Sequence, residues 1–253
     1  MVLILLLTLL LLASCGHPKQ AHVSVPPPPA VSGPSATQPS ATTRPARENP
    51  RSAPAEESGE PAEPTIPADA KPIVTESGLA SWYGPPYHNR KGSNGEVYNM
   101  HAMTAAHRTF PLESIVRVTN EKTGSTALVR ITDRGPFIRG RVLDLSLAAA
   151  RKLDVWQAGV AKVKIELMQT PAPLESGGKW AVQIGGFKDE DEATKLADHL
   201  TRRYRTAQVL RFASPAGDWW IRVRVQDDDH ERAEKLIEET ETPEGAVFLV
   251  RLD

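Results

Sequence analysis

Val160-Ala161-Lys162-Val163-Lys164-Ile165-Glu166-Leu167 sets apolar side chains against polar ones along eight residues. Successive side chains of a strand point to opposite faces, so this pattern describes a half-buried β-strand and not a helix, whose repeat is 3.6. Working outward, Ile115-Val116-Arg117-Val118 and Thr126 to Ile131 carry the same signal on either side of Thr123-Gly124, which predicts a hairpin. Gly78-Leu79-Ala80-Ser81-Trp82-Tyr83 is a further short β-like run. One helix is predicted: Ser146 caps Leu147-Ala148-Ala149-Ala150-Arg151-Lys152-Leu153, with Asp154 beyond it. Several short strands with one or two helical turns between Ile73 and Gln169 predict a small, mainly β barrel.

A linker over 171–178, with Pro171, Pro173 and Gly177-Gly178, separates this block from a second one over 179–253. There the pattern reads β-α-β-β-α-β. Strands are predicted over 180–185, 207–212, 219–225 and 245–250, and helices over 189–204 and 228–239. The first helix has acids in its first turn and arginines in its last, the arrangement that complements the helix dipole. Two helices on one face of a four-stranded antiparallel sheet leave the other face open. Alternation then separates Trp180, Val182 and Ile184 from Ala181, Gln183 and Gly185, and Ile221, Val223 and Val225 from Trp220, Arg222 and Arg224.

The amino-terminal segment reads as an address. Met1 to Leu12 is almost wholly apolar, too short for a hydrocarbon core that needs ~20 helical residues, and suits the apolar core of an export signal. Leu12-Ala13-Ser14-Cys15 resembles a lipobox, in which cleavage precedes the cysteine and the thiol takes a lipid. Cys15 is the single cysteine of the 253 residues, so it has no internal disulfide partner. Gly16 after it, where an aspartate is absent, favours sorting to the outer membrane. Residues 15–73 hold most of the 22 prolines, among them Pro26 to Pro29, mixed with Ala, Ser, Thr and Glu. Such a stretch buries too little apolar surface to offset the entropy of ordering and is read as a disordered tether. The formal net charge of −1 gives no support to a nucleic-acid partner. By block, 74–170 carries 13 basic and 8 acidic residues and 179–253 carries 12 and 16, neither of which selects a partner.

Reactive side chains concentrate in 92–107, which contains Glu96, Tyr98, Asn99, His101 and His107, and in Thr132-Asp133-Arg134-Gly135-Pro136-Phe137. Asn94-Gly95 is a turn signal that sets Glu96 at a loop edge, and Asp133 leaves a strand, where a rigid element fixes its side chain. Two carboxyls and a histidine can break a glycosidic bond, one acid protonating the leaving oxygen while another group stabilises charge. The spacing alone serves equally for caps and surface ion pairs. His101 and His107 lack the tight spacing of a metal-ligand motif, so no metal or cofactor is expected.

Gly78 to Gly84, Gly95-Glu96, Met103-Thr104-Ala105-Ala106-His107, Asp133 to Phe137 and Arg141-Val142-Leu143-Asp144-Leu145-Ser146 closely resemble the rare lipoprotein A family. That resemblance implies a double-psi β-barrel acting as a lytic transglycosylase on the cell-wall glycan. Val182-Gln183-Ile184-Gly185-Gly186-Phe187 is similar to the first strand of a SPOR domain, which implies binding of glycan strands stripped of stem peptides. The family's required glutamate, histidine and aspartate fall on Glu96, His107 and Asp133. The implied reaction has a protonated acid, Asp133 or Glu96, donating to the oxygen between N-acetylmuramic acid and N-acetylglucosamine, with a 1,6-anhydro end as product. Trp82, Tyr83 and Tyr98 are candidate sugar contacts, and Gln183, Trp220 and Arg222 should line the glycan-binding sheet face. Asp144 reads as structural. The resemblance thus implies an outer-membrane, lipid-anchored protein on the periplasmic side, enriched at the division septum, with divisome proteins as further candidate partners. The rivals are a wall-binding protein without turnover and a hydrolase using Glu96 and Asp133.

Overall fold

The structure is a computed structural model that describes residues 61–253 apart from 175, 215, 216, 241 and 243–245. The segments expected from the sequence to be an export signal (1–14), a lipidated Cys15 and the tether up to residue 60 lie outside the described residues. Among the described residues no helix is long and apolar enough to cross a membrane.

Six strands close into a barrel: β1 (Val74–Trp82), β2 (Thr104–His107), β3 (Ile115–Asn120), β4 (Thr126–Asp133), β5 (Arg141–Leu145) and β6 (Ala161–Gln169), in the order β1-β5-β2-β4-β3-β6. β1 with β5 and β2 with β4 are parallel pairs, and the other neighbours are antiparallel. The alternation of β6 is realised as expected, since Val163, Ile165 and Leu167 are fully buried while Lys162 and Lys164 point outward and ion-pair with Glu121 and Glu166. Val116, Val118, Val129, Ile131, Leu143 and Leu145 complete the barrel core. Asn120 closes the β3–β4 turn from inside: its Nδ2 donates to the Leu153 carbonyl at 2.8 Å, and its Oδ1 accepts from the Lys122 amide at 3.0 Å. Helix α1 (Leu147–Lys152) starts at Ser146, whose Oγ accepts from the Ala149 amide at 3.1 Å and donates to the Ala102 carbonyl at 2.7 Å.

The second block is a four-stranded antiparallel sheet of order β10-β7-β9-β8, with β7 (Trp180–Phe187), β8 (Gln208–Ala213), β9 (Trp219–Arg224) and β10 (Ala246–Arg251). Helices α2 (Glu190–Arg203) and α3 (His230–Glu239) cover one face. Asp189 and Asp229 cap them, accepting from the Asp191 and Arg232 amides. Trp180, Val182, Ile184, Ile221 and Val223 pack with Ala193, Leu200, Ala233 and Leu236 in the core beneath the helices.

Gln183, Trp220 and Arg222 fall on the opposite face, as alternation requires, but that face is open only toward β8, where Leu210, in register with Arg222, is exposed. The barrel segment after β4 lies on it. The Phe137 ring sits 5.5 Å from Trp220 and 5.8 Å from Phe248, and the Arg108 guanidinium lies 5.5 Å over Phe248. The Arg251 amide donates to the Arg108 carbonyl at 3.0 Å. The Asp253 carbonyl accepts from the Leu112 amide at 3.2 Å and from Arg134 Nη2 at 2.6 Å. Gln183 is left 2 % exposed and Trp220 9 % exposed. Sequence reasoning missed this because the contact joins segments more than 80 residues apart, and no local pattern reports it.

Candidate active site

Asp133 is the last residue of β4, and β2 carries it into a row of three. Ala106 is in register with Asp133 on one side and with Asp144 of β5 on the other. Strands lie about 4.8 Å apart, so the two aspartates start roughly 10 Å apart at the backbone, with Ala106 between them. A bulge at Ala105/Ala106 sets the Asp133 register. Gly135, at φ +144°, turns the chain over this row: a Cβ there would lie 3.9 Å from both Ala106 Cβ and Asp144 Oδ2.

Asp133 is half-buried, and its hydrogen bonds converge on one oxygen. Oδ1 accepts from the Ser93 amide at 3.0 Å, the Ser93 hydroxyl at 2.5 Å and the Arg134 amide at 2.8 Å. Ser93 belongs to the 92–95 turn, which the Asn94 amide ties to the Thr132 carbonyl at 3.2 Å. The sequence showed a turn at Asn94-Gly95 and gave no sign that Ser93 serves the aspartate 40 positions on. A cleft opens beside these groups, lined by Asn94, Glu96, Tyr98, Asn99, Arg130 and Asp133 among others.

Glu96 stands at the mouth of the same cleft, exposed, with Arg130 Nη2 2.8 Å from its Oε2; Arg130 Nη1 pairs with Glu113. The hydrogen bonds from Arg130 and Asn94 hold the Glu96 carboxyl below the usual carboxylate range. Glu96 therefore carries charge and not a proton at neutral pH.

His107 departs from the expected set. Alternation along β2 turns it to the side opposite Ala106, in register with the buried Leu143. Its Nε2 lies 2.7 Å from Glu76 Oε1, and its Nδ1 accepts from the Thr109 and Phe110 amides at 3.2 and 3.0 Å. Two amide donors on Nδ1 leave the ring proton on Nε2, facing Glu76. The ring stacks on Phe110 at 3.9 Å. Burial pushes its pKa down, and Glu76 only partly offsets that. The structure thus brings Glu96 and Asp133 to one cleft and pairs the buried His107 separately with the half-buried Glu76. The link between the two is Arg134, whose Nη1 donates to the His107 and Phe110 carbonyls at 3.1 and 2.6 Å.

Asp144, read from the sequence as structural, is a buried carboxyl. Its Oδ1 accepts from the Ser81 hydroxyl at 2.5 Å, and Arg141 Nη2 lies 3.3 Å away. Burial raises its pKa against the pull of Arg141 and Ser81. The aromatic residues are mostly engaged with each other. The Tyr83 and Tyr98 rings lie 4.4 Å apart, and the Tyr98 hydroxyl donates to the Tyr83 carbonyl at 3.0 Å. Burial, then Tyr98, Asp133 and Asp144, push the Tyr83 phenol up, so it stays neutral. Trp82 packs on the barrel core and over Gly84. Of the three expected sugar contacts only Tyr98 lines the cleft, and it is 7 % exposed. Among the described residues no cluster of three or more His, Cys, Asp or Glu could hold a metal ion.

A family model described as a lytic transglycolase matches residues 75–165, and the SPOR domain model matches residues 176–241. Fold and site together define the class: a double-psi β-barrel of the lytic transglycolase type followed by a SPOR domain. Relatives named endolytic peptidoglycan transglycosylase RlpA share 40 % identity over 52 % of this chain in Helicobacter pylori J99, 44 % over 50 % in Vibrio cholerae, and 36 % over 56 % in Campylobacter jejuni. Those alignments cover 51 %, 51 % and 61 % of the relatives, so the chain spans about half to three-fifths of their length. Over these two regions the chain is similar to the RlpA relatives.

Proposed function

We propose that this protein is a peptidoglycan lytic transglycosylase of the cell envelope. Its bond would be the β-1,4 link from N-acetylmuramic acid to N-acetylglucosamine, in strands lacking stem peptides and at the septum where daughter cells part. The observation that carries the reading is Asp133, held through one oxygen by three donors at the edge of a cleft in a barrel of the lytic transglycolase family.

With Oδ1 so engaged, Oδ2 is the oxygen that meets the substrate. A proton on Oδ2 passes to the glycosidic oxygen as the bond to C1 breaks. The muramic 6-hydroxyl then attacks C1, and its proton returns to Asp133. Atoms balance without water, so one carboxyl serves first as acid and then as base. Glu96, kept ionised by Arg130, cannot supply the first proton and instead faces the positive charge that develops at C1. His107 contributes through Arg134 and its pair with Glu76, as a positioning residue. The names of the relatives and the SPOR domain support peptidoglycan as the substrate. Cys15, as the lipid anchor, would hold the protein at the periplasmic face of the outer membrane.

The test is digestion of amidase-treated sacculi by the full chain and by Asp133→Asn, with products read by mass. Anhydro ends that vanish in the variant support the proposal. Reducing ends would move the assignment to a hydrolase. Retention on sacculi without cleavage would leave a binding protein.

A further inference from the structure

Around Gln183, Trp220 and Phe248 the face of the SPOR sheet is occupied by the chain's own barrel, while Leu210 at its β8 edge stays exposed. Three features make the contact more than incidental. An aromatic ring, Phe137, is wedged between two aromatic side chains of the sheet, Trp220 and Phe248. The carboxy-terminal residues are bonded to the barrel by main-chain groups at Arg108 and Leu112 and by the Arg134 side chain. The polar groups beneath are internally satisfied: Gln183 Oε1 accepts from Arg222 Nε and Nη2 at 3.1 and 2.7 Å. A sugar ring seeks the same environment, an aromatic face for its C–H surface with amide and guanidinium groups for its hydroxyls. Phe137 therefore fills the position that a sugar would take.

We propose that this contact is an autoinhibitory clasp, in which the Phe137 segment and a glycan strand compete for one face of the SPOR sheet. The inference rests on the glycan reading above. It adds that the domain engages a strand only after releasing the barrel. Release reaches the cleft directly, because Phe137 is four residues beyond Asp133 in the segment that leaves β4, and Arg134 holds both the Asp253 carbonyl and the His107 carbonyl. Arg222 lies near enough for the Asp133 carboxylate to offset part of the effect of its burial. Unclasping thus removes a cation from the vicinity of the reacting carboxyl and frees the segment that follows it. A protein that has not found bare glycan keeps its loop bound.

The competition has a signature that a plain binding face lacks: a substitution on the barrel should tighten glycan binding by the other domain. A face that is free one-tenth of the time binds roughly ten-fold more weakly than one held open. The experiment compares the full chain with Phe137→Ala and with Phe137→Ala/Arg108→Ala, measuring affinity for stem-peptide-free glycan strands. Amide hydrogen exchange of residues 181–185 and 220–224 reports in parallel whether the face has opened. Faster exchange there with several-fold tighter binding in either variant is the expected result. Faster exchange with unchanged or weaker binding would overturn the clasp while leaving the glycan reading intact. If the double variant exchanges as the parent does, the contact is not held by these side chains, and the proposal falls as well. No binding by any form, with the face shown to be open, would remove the glycan reading itself.

Discussion

Replacing His107 with alanine should cost the barrel about 3 kcal/mol at neutral pH, and the sum can be followed group by group. The imidazole is 4 % exposed, and its Nδ1 accepts from two amides. The Thr109 amide, in a half-buried residue, can turn to water, but Phe110 is buried and its N–H would be left without an acceptor, at ~1–3 kcal/mol. Loss of the stacked ring of Phe110 removes a further ~0.5–1.5 kcal/mol. Glu76 is a third exposed and would be rehydrated, so its lost pair contributes at most about 1 kcal/mol. The assay is hydrogen exchange of β2 and β4 amides across a denaturant series, where 3 kcal/mol appears as roughly a hundred-fold change in opening. A loss below about 1 kcal/mol would refute this account of the ring. Acidification supplies a second check. Because burial depresses the native imidazole pKa, the unfolded chain binds this proton first, and wild-type stability falls as pH drops from about 6.5 toward the native value. Alanine has no such group, so the gap between the two proteins should narrow over that interval. A gap that widens would mean the ring is charged in the fold.

Glu96→Gln should leave barrel stability within about 0.5 kcal/mol, since the pair with Arg130 is exposed. It should also leave the acid limb of a cleavage pH profile in place, and a limb that disappears would reassign the acid. Asn120→Ala strands the Leu153 carbonyl, while the amide of the exposed Lys122 can turn to water, and should lower the denaturation midpoint by the equivalent of ~1–2 kcal/mol; an unchanged midpoint would show that water replaces both bonds. In Gly185→Ala the new Cβ would come 2.1 Å from Trp220 Cε3, so the ring must swing out of its place against Phe137. A cost of ~1–3 kcal/mol and an altered tryptophan emission are expected, and a silent substitution would contradict the packing.

Within the barrel, the strands legible in the sequence were those with one wet face. β3, β4 and β6 alternate because one side meets solvent, and their pattern is visible in the residues. β2 is Thr-Ala-Ala-His with all four residues buried, and β5 is short and hemmed by two neighbours, so neither carries a period to find. The helices of the SPOR domain could be read from caps and charge, which act within one turn. At the site, Asp133 was legible as the end of a strand, and Glu96 as the edge of a turn. Ser93 and Asp144 were not, because their roles depend on which strands are neighbours. Once β2 is known to lie between β4 and β5, simple parity separates Asp133 and Asp144 from His107. The covered sheet face was beyond any such reading, since every local signal there describes an exposed surface.

The pairing of β1 with β6 has a mechanical consequence. Val74 lies opposite Leu167 at one end of an antiparallel pair, and the Ile73 amide bonds the Leu167 carbonyl at 2.7 Å. The chain therefore enters and leaves the barrel side by side. A pull between the segment before Ile73 and the domain after Gln169 loads this seam from its end, one hydrogen bond at a time, as a zipper is opened. Strands sheared along their length would share the load across all rungs at once. If the amino terminus is fixed in a membrane and the SPOR domain is fixed to the wall, the barrel is the element that yields first under tension, starting at Val74. Single-molecule extension from the two ends would register this as a low-force first step, and a high-force rupture would exclude it.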